Sequence, residues 1–174
     1  MNSALTFTGS PYTSFMHETK VTLSNGIELH VEIGGQPEHP AIMLIMGLGA
    51  QLLFWPDFFC KSLIDQGYRV IRFDNRDIGL SSKIRHSGPR LNTFKLMGRF
   101  ALGLENQGAP YNLYDMAEDA ALLIDHLELD NVSVLGASMG GMIAQILAAK
   151  HPQKVSNLGL MFTSNNQPLL PPPF

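Results

Sequence analysis

One serine in this chain has the surroundings of a nucleophile. Ser138 lies at the centre of G-A-S-M-G (136–140), after an apolar run typical of a buried strand and before a segment typical of a buried helix. At a sharp strand-to-helix turn, side chains two residues before and after the serine would collide with neighbouring elements, which explains Gly136 and Gly140. Backbone N–H groups at the start of the helix favour negative charge developing beside the hydroxyl. A serine that only caps a helix needs neither glycine, so we predict a nucleophile.

A second short motif is suited to stabilising an oxyanion. M-G-L-G (46–49) ends an earlier apolar run. In sites of this type, the oxyanion hole uses the N–H of the residue after the nucleophile and one N–H from the loop after an earlier strand. We predict that these donors are the N–H groups of Met139 and Leu48. Gly47 and Gly49 flank Leu48 and let the backbone turn its N–H inward.

The same glycines permit a different interpretation, a dinucleotide site. Gly47 and Gly49 follow a predicted strand and precede a predicted helix, and Asp74 ends the next strand, near where a Rossmann fingerprint expects an acid. However, Leu52 stands at the third glycine position, and an opening hairpin is foreign to that fold. The dinucleotide site is therefore the weaker hypothesis, and we expect no cofactor.

The chain does not offer Ser138 a base and an acid in the expected order. A catalytic serine at a turn of this kind is followed along the chain by an acid and then by a histidine. Here no Asp or Glu follows Ser138, and the only later histidine is His151. His151 lies at the far end of the predicted helix, roughly 20 Å away at about 1.5 Å per residue, so it cannot reach the hydroxyl. No two histidines have metal-ligand spacing, so we expect no metal. The other histidines, none expected to act as the base, are His17, His30, His39, His86 and His126.

The elements that must position these groups alternate between strands and helices. Two β-branched runs separated by Asn25-Gly26 predict an antiparallel hairpin. The predicted strands are 20–24, 27–33, 41–46, 68–74, 131–138 and 155–164. The predicted helices are 51–66, 112–129 and 139–151, with one or two short helices within 91–104. This order predicts an α/β fold, a mostly parallel sheet with an N-terminal antiparallel hairpin and helices on both faces.

Composition limits the classes of function. The chain has 174 residues, 45% of them hydrophobic and 16% charged, which fits one globular domain. A net charge of −3 argues against a nucleic-acid surface. No apolar run is long enough to span a membrane and no secretory signal is visible, so we expect no membrane partner and a cytoplasmic location. Cys60, among Phe58 and Phe59, is predicted to be a buried apolar residue.

Three motifs in order resemble the α/β-hydrolase family, and the resemblance extends from the hairpin to residue 165. They are M-G-L-G, F-D-N-R-D-I-G-L-S (73–81) and G-A-S-M-G-G. Family members usually have His-Gly where this chain has Met46-Gly47, and often have glycine where it has Asp77. Both departures, with the stretch A-L-G-L-E-N-Q-G-A-P-Y-N-L-Y-D-M-A-E-D, resemble a branch of small esterases similar to aclacinomycin methylesterases. In the middle motif, Asp74 and Arg76 are expected to tie down the loop beside the site.

The resemblance implies a serine hydrolase that acts on small-molecule carboxylic esters, with Ser138 as nucleophile and the N–H groups of Leu48 and Met139 as the oxyanion hole. Thioesterase, lactonase and cofactor-free haloperoxidase-like chemistry use the same turn and stay open. Epoxide hydrolases and dehalogenases carry Asp at the nucleophile position and fit less well. An alternative from another class is a non-catalytic, hydrolase-like module that binds a small apolar ligand or a partner chain.

The missing acid and base also predict how the chain is organised. We expect residues 1–165 to be the N-terminal part of the hydrolase core and 166–174 to begin a cap or linker segment, because P-P-P cannot continue a helix or a strand. The acid and the histidine would then lie in a missing C-terminal portion, and the 174-residue chain alone would lack activity. Strand 155–164 would be an unpaired apolar edge through which the chain could associate with another chain or with the missing portion.

Overall fold

The computed structural model describes the backbone of residues 8–9 and, in full, residues 14–84 and 110–165. Its strands are β1 (Thr8–Gly9), β2 (Met16–Thr22), β3 (Glu28–Gly34), β4 (Ala41–Ile45), β5 (Arg69–Phe73), β6 (Val132–Ala137) and β7 (Val155–Met161). Its α-helices are α1 (Asp57–Asp65), α2 (Leu113–His126) and α3 (Met139–Lys150). The short helices predicted within 91–104, His86 and the predicted linker 166–174 lie outside the described residues.

The N-terminal strands form the predicted antiparallel hairpin. β2 pairs with β3 so that Thr22 lies opposite Glu28. The turn between them contains Gly26 with a φ of +83°, a conformation that glycine adopts without steric cost. The short strand β1, which the sequence analysis did not predict, pairs with the outer edge of β2, and β3 pairs antiparallel with β5.

The sheet has the strand order β1-β2-β3-β5-β4-β6-β7, and its last four strands are parallel. From β4 the chain passes through α1 to β5, and from β6 it passes through α3 to β7 on the opposite side. β4 and β6 are therefore neighbours whose connections lead in opposite directions. Such a switch point opens a crevice outside the carboxyl ends of the two strands, where open α/β sheets bind ligands.

Helices cover both faces of the sheet, as predicted. Successive side chains of a strand point to opposite faces, so the fully buried Met43 and Leu44 of β4 belong to different cores. Met43 packs in the core formed with α2 and α3. Leu44 packs in the core that contains Trp55 and Cys60 beside α1. The predicted fold class is confirmed, and Cys60 is buried.

The predicted helix 51–66 is wrong as a single element. The chain forms a 3-10 turn over Leu52–Phe54, an extended residue at Trp55 (φ −77°, ψ 108°), and then α1. Pro56 explains the break, because proline disfavours the helical conformation in the residue before it. Leu52 and Trp55 are nevertheless buried, as the predicted apolar face required.

The other helices and strands differ from prediction only at their ends. Asn112 caps α2 and forms a reciprocal capping box with Asp115. The predicted strand 155–164 stops at Met161, and the next residue, Phe162, has a φ of +50°, which ends the extended conformation.

Candidate active site

Ser138 occupies a strained turn between β6 and α3. Its φ of +54° and ψ of −123° are uncommon for a residue with a side chain. Its N–H donates to the Met161 carbonyl (2.9 Å), and its own carbonyl accepts from Gly141 N (2.9 Å) and Thr163 Oγ1 (2.7 Å). Ser138 is exposed, and its side chain makes no capping hydrogen bond to α3. The backbone is therefore held by neighbours while the hydroxyl faces solvent.

Contacts with the backbone explain the two glycines that flank the serine. A Cβ on Gly136 would overlap the carbonyl group of Gly140, and a Cβ on Gly140 would overlap the carbonyl of Ile45 at the end of β4. Both obstacles are backbone atoms, which cannot rotate away as the end of a side chain can. The glycines thus let β6, α3 and β4 approach closely beneath Ser138.

The loop after β4, residues 46–51, lies against the serine. A Cβ built on Gly47 would come within 3.0 Å of Ser138 Cβ and 3.4 Å of its Oγ. Gly49 has a φ of +71°, which turns the loop. Leu48, between the glycines, is half exposed, and Met139 is the first residue of α3. The structure therefore brings the two predicted oxyanion-hole segments to the same end of the sheet as Ser138.

Asp74 and its neighbour Asn75 hold the two ends of this loop. Asp74 Oδ1 accepts from the N–H of Leu52 at 2.8 Å, just after the loop. Asn75 Nδ2 donates to the carbonyl of Met46 at 2.9 Å, where the loop begins. Both side chains are buried, and both residues directly follow β5. The sequence analysis missed Asn75, although a polar residue at the carboxyl end of a buried strand was a signal for it.

The carboxylate of Asp74 is fully engaged inside the protein. Besides the bond to Leu52, its Oδ2 accepts from Leu80 N at 2.9 Å and lies 3.2 Å from His30 Nδ1. Burial alone would raise the pKa of Asp74, but the hydrogen bonds from His30, Leu52 and Leu80 outweigh it and lower the pKa. A carboxylate with these partners is not available to a ribose, which removes the main support for the dinucleotide hypothesis.

His30 is a second buried residue that the sequence analysis did not connect to the site. Burial alone would lower the pKa of its imidazole, but Asp74, with smaller contributions from Glu18 and Glu32, outweighs burial and raises the pKa. Nε2 lies 3.7 Å from a carboxylate oxygen of Glu18. The Ser81 side chain also links the backbones of His30 and Asp74, because its Oγ accepts from His30 N and donates to the Asp74 carbonyl.

Arg76 fastens the loop after β5 to helix α2. Its guanidinium makes two bonds of 2.6 Å to the carboxylate of Asp119 and one of 3.2 Å to the carbonyl of Asp115. It also lies 5.2 Å from the centre of the Tyr111 ring. Two parallel bonds between a guanidinium and a carboxylate fix both position and orientation.

Asp77 accounts for a departure from the family motif. Its φ is +66°, a conformation that favours glycine and that Asp tolerates better than most residues. Its Oδ1 accepts from Ile84 N at 2.6 Å, and its carboxylate interacts electrostatically with Tyr111. Burial, with the neighbouring Asp77 carboxylate, raises the pKa of Tyr111. The aspartate thus keeps the glycine-like turn and adds interactions that glycine cannot make.

His151 is engaged at the far end of α3. Its N–H donates to Leu147 O, and its Nε2 lies 3.0 Å from a carboxylate oxygen of Glu118 on α2. Within the described ranges, no three His, Cys, Asp or Glu side chains are grouped so that they could hold a metal ion. Over those same ranges, no helix has the length and apolar character needed to cross a membrane.

One protein-family model, described as the alpha/beta hydrolase fold, matches residues 40–173, most of the sequence. The chain belongs to the α/β-hydrolase fold family. The resemblance drawn from M-G-L-G, F-D-N-R-D-I-G-L-S and G-A-S-M-G-G is confirmed.

The chain is also similar to individual curated and solved hydrolases. The rhodomycin D methylesterase of Streptomyces peucetius is 30% identical over 143 residues, which are 82% of this chain and 41% of that protein. A hydrolase from Pseudomonas aeruginosa PA01 is 27% identical with a TM-score of 0.66, over 94% of this chain and 48% of that one. The enol-lactonase from Burkholderia xenovorans LB400 is 26% identical with a TM-score of 0.65, over 83% and 46%. The chain therefore spans less than half the length of each of these α/β hydrolases.

Proposed function

We propose that the protein is a serine hydrolase of carboxylic esters and that Ser138 is its nucleophile. The observation that carries this proposal is the strained turn at Ser138, with an exposed hydroxyl and the glycine loop of residues 46–49 packed against it. A helix cap requires neither the positive φ nor the adjoining loop. Strained backbone of this kind occurs at catalytic positions that the surrounding structure must hold in place.

The reaction proposed for this geometry is acyl transfer. The hydroxyl oxygen of Ser138 attacks the ester carbonyl carbon as its proton passes to a general base, and the carbonyl π electrons move onto the oxygen. The N–H groups of Leu48 and Met139 stabilise that oxyanion. When the C=O bond re-forms, the alcohol leaves with a proton from the base. Water then releases the acid from the acyl-serine by the same steps.

We propose that the base and the acid are not among the 174 residues of this chain. No Asp or Glu follows Ser138, and His151 is paired with Glu118 instead. A positioned base contributes about 10²–10⁴-fold to such reactions, so we expect the isolated chain to hydrolyse esters slowly.

Exposed apolar side chains favour an ester with an apolar part. Leu48 is 50% exposed on the loop beside Ser138, and Leu80 is 58% exposed on the loop held by Asp74. The rhodomycin D methylesterase, to which this chain is similar, is named for a methyl ester of a larger molecule. We therefore propose substrates in which an apolar group lies next to the scissile ester.

Cleavage of p-nitrophenyl acetate by the wild-type chain and by Ser138→Ala tests this function, with imidazole added as a diffusible base. We expect the wild-type rate, after subtraction of the Ser138→Ala rate, to rise with imidazole concentration. The variant keeps the backbone and provides the background of imidazole-catalysed hydrolysis. Equal rates in the two proteins at every imidazole concentration would contradict the proposal.

A further inference from the structure

The loop that contains Leu48 has its two ends fixed by two consecutive residues that follow another strand. Met46 is the first residue of this loop, and its carbonyl accepts from Asn75 Nδ2 at 2.9 Å. Leu52 follows the loop, and its N–H donates to Asp74 Oδ1 at 2.8 Å. Both side chains come from the segment directly after β5, which is the strand next to β4.

The bond at Met46 has a direct effect on the orientation of the loop. A peptide unit is planar, so fixing the carbonyl oxygen of Met46 also fixes the direction of the Gly47 N–H. Gly47 has no side chain that could hold the loop, and a Cβ added to it would come within 3.0 Å of Ser138 Cβ. Gly47 and Gly49 give this backbone more conformational freedom than other residues would, so its orientation depends on bonds such as that from Asn75.

The position of Asn75 also argues for a specific role. Its side chain is 2% exposed, and its amide reaches a carbonyl 29 residues earlier in the chain. A buried amide without a partner is costly, so the buried side chain of Asn75 favours the loop conformation in which its bond to Met46 is made. The Asn75 side chain makes its bond to the Met46 carbonyl and none to Ser138 or Leu48 among the described residues, so any influence on chemistry passes through the backbone of the loop.

We propose that Asn75 is a positioning residue that, together with Asp74, clamps the loop of residues 46–51 and thereby orients its N–H groups toward the position of the oxyanion. This inference rests on the proposed function, because the loop matters for chemistry only if Ser138 is the nucleophile. The clamp itself is a property of the folded chain, and it can be measured without turnover.

The test is the Asn75→Asp variant, followed by NMR of the backbone amides of Gly47, Leu48 and Gly49 in the full chain. An ionised carboxylate has the shape of the amide but cannot donate to Met46. We expect the order parameters of these amides to fall from about 0.85 toward 0.6 at neutral pH, while amides of β6 and α3 keep theirs.

Acidification supplies a rescue that a merely structural role would not show. Once the introduced carboxyl binds a proton it can donate to Met46, so the order of the loop should return in Asn75→Asp at low pH. The wild type at the same pH controls for the titration of Asp74 and His30. Asn157→Asp is a matched control, because Asn157 is exposed on β7 and its amide bonds to the side chains of Ser133 and Ser156. Its loop amides should match the wild type.

A folded Asn75→Asp variant with unchanged loop order at every pH would overturn the proposal. If this variant does not fold, the wild-type side-chain amide of Asn75 decides the matter. Slow hydrogen exchange of that amide is expected for the clamp, and exchange at the rate of a free amide would overturn it. A failure of the proposed function has a different signature, since it would leave the loop ordered and Ser138 unreactive.

Discussion

Gly47 and Ser138 lie side by side at the switch point of the sheet, so close that a Cβ on the glycine would come 3.4 Å from the serine Oγ. They belong to different connections, one leaving β4 and the other leaving β6. This proximity depends on the close approach of three backbone segments, β4, β6 and the start of α3. The relative position of Gly47 and Ser138 therefore depends on how closely these three segments pack.

Gly140→Ala tests that packing. Its new methyl group would overlap the backbone carbonyl of Ile45, so α3 and β4 must separate. We expect the free energy of unfolding to fall by about 1–3 kcal/mol or more, measured as a lower urea midpoint with an unchanged slope. Gly159→Ala is the matched control, because its methyl group meets chiefly the flexible side chain of Leu135. If Gly140→Ala lowers the free energy of unfolding no more than Gly159→Ala does, the packing argument is wrong.

The dependence of stability on pH tests the His30–Asp74 pair. The folded-state pKa of His30 is raised above its ordinary 6.5. Its contribution to the free energy of unfolding is therefore complete below pH 6.5 and is lost as pH rises through the folded-state pKa. The pKa of Asp74 is lowered from 3.8, so its contribution is lost as pH falls through its folded value. The carboxylates that act on His30 are Asp74, Glu18 and Glu32.

Urea unfolding of the wild type and of His30→Gln from pH 5 to pH 9 measures this effect. We expect the wild type to lose stability as pH rises above about 6.5 and the variant to lose less. In an Asp74→Asn background the same His30→Gln change should have a smaller pH-dependent effect, because its main partner is absent. If the free energies of unfolding of the wild type and of His30→Gln change in parallel with pH, the His30–Asp74 pair does not contribute to stability as described.

Asp77 provides a test of backbone conformation. Both Asp77→Gly and Asp77→Ala lose the bond to Ile84 and the interaction with Tyr111, but only alanine retains the cost of a positive φ. We expect Ala to be the less stable of the two by about 1–2 kcal/mol, from thermal or urea unfolding. An Ala variant as stable as the Gly variant would mean that residue 77 does not need its left-handed conformation.

The exposed strand β7 predicts association of the chain. Among the described residues β7 pairs only with β6, and Leu158 and Leu160 are 40% and 45% exposed. We propose that this apolar edge associates with another chain, and expect the mass measured by light scattering to rise with concentration. Leu160→Lys should reduce the rise, whereas Phe58→Lys, at an exposed position on α1, should not. A monomer at all concentrations would contradict the prediction.

Local patterns predicted the elements and the strained serine well, because their causes are local. Gly136 reports a contact with Gly140 and Gly141 within one strand–turn–helix unit, and an apolar run reports a buried strand. The sequence did not predict the bonds from Asn75 to Met46 or from His30 to Asp74, which join residues 29 and 44 positions apart. Those bonds depend on β5 lying between β3 and β4, which periodicity alone does not determine.

The central claim is that Ser138 is a nucleophile, and covalent labelling tests it most directly. The wild-type chain and Ser138→Ala are incubated with a fluorophosphonate in the presence of imidazole, and the modified residue is located by peptide mass spectrometry. We predict a single added phosphonyl group on Ser138, with labelling that accelerates as imidazole increases and is absent in the variant. Equal labelling of the two proteins, or no label on Ser138 in a folded chain, would contradict the claim and favour a non-catalytic binding module.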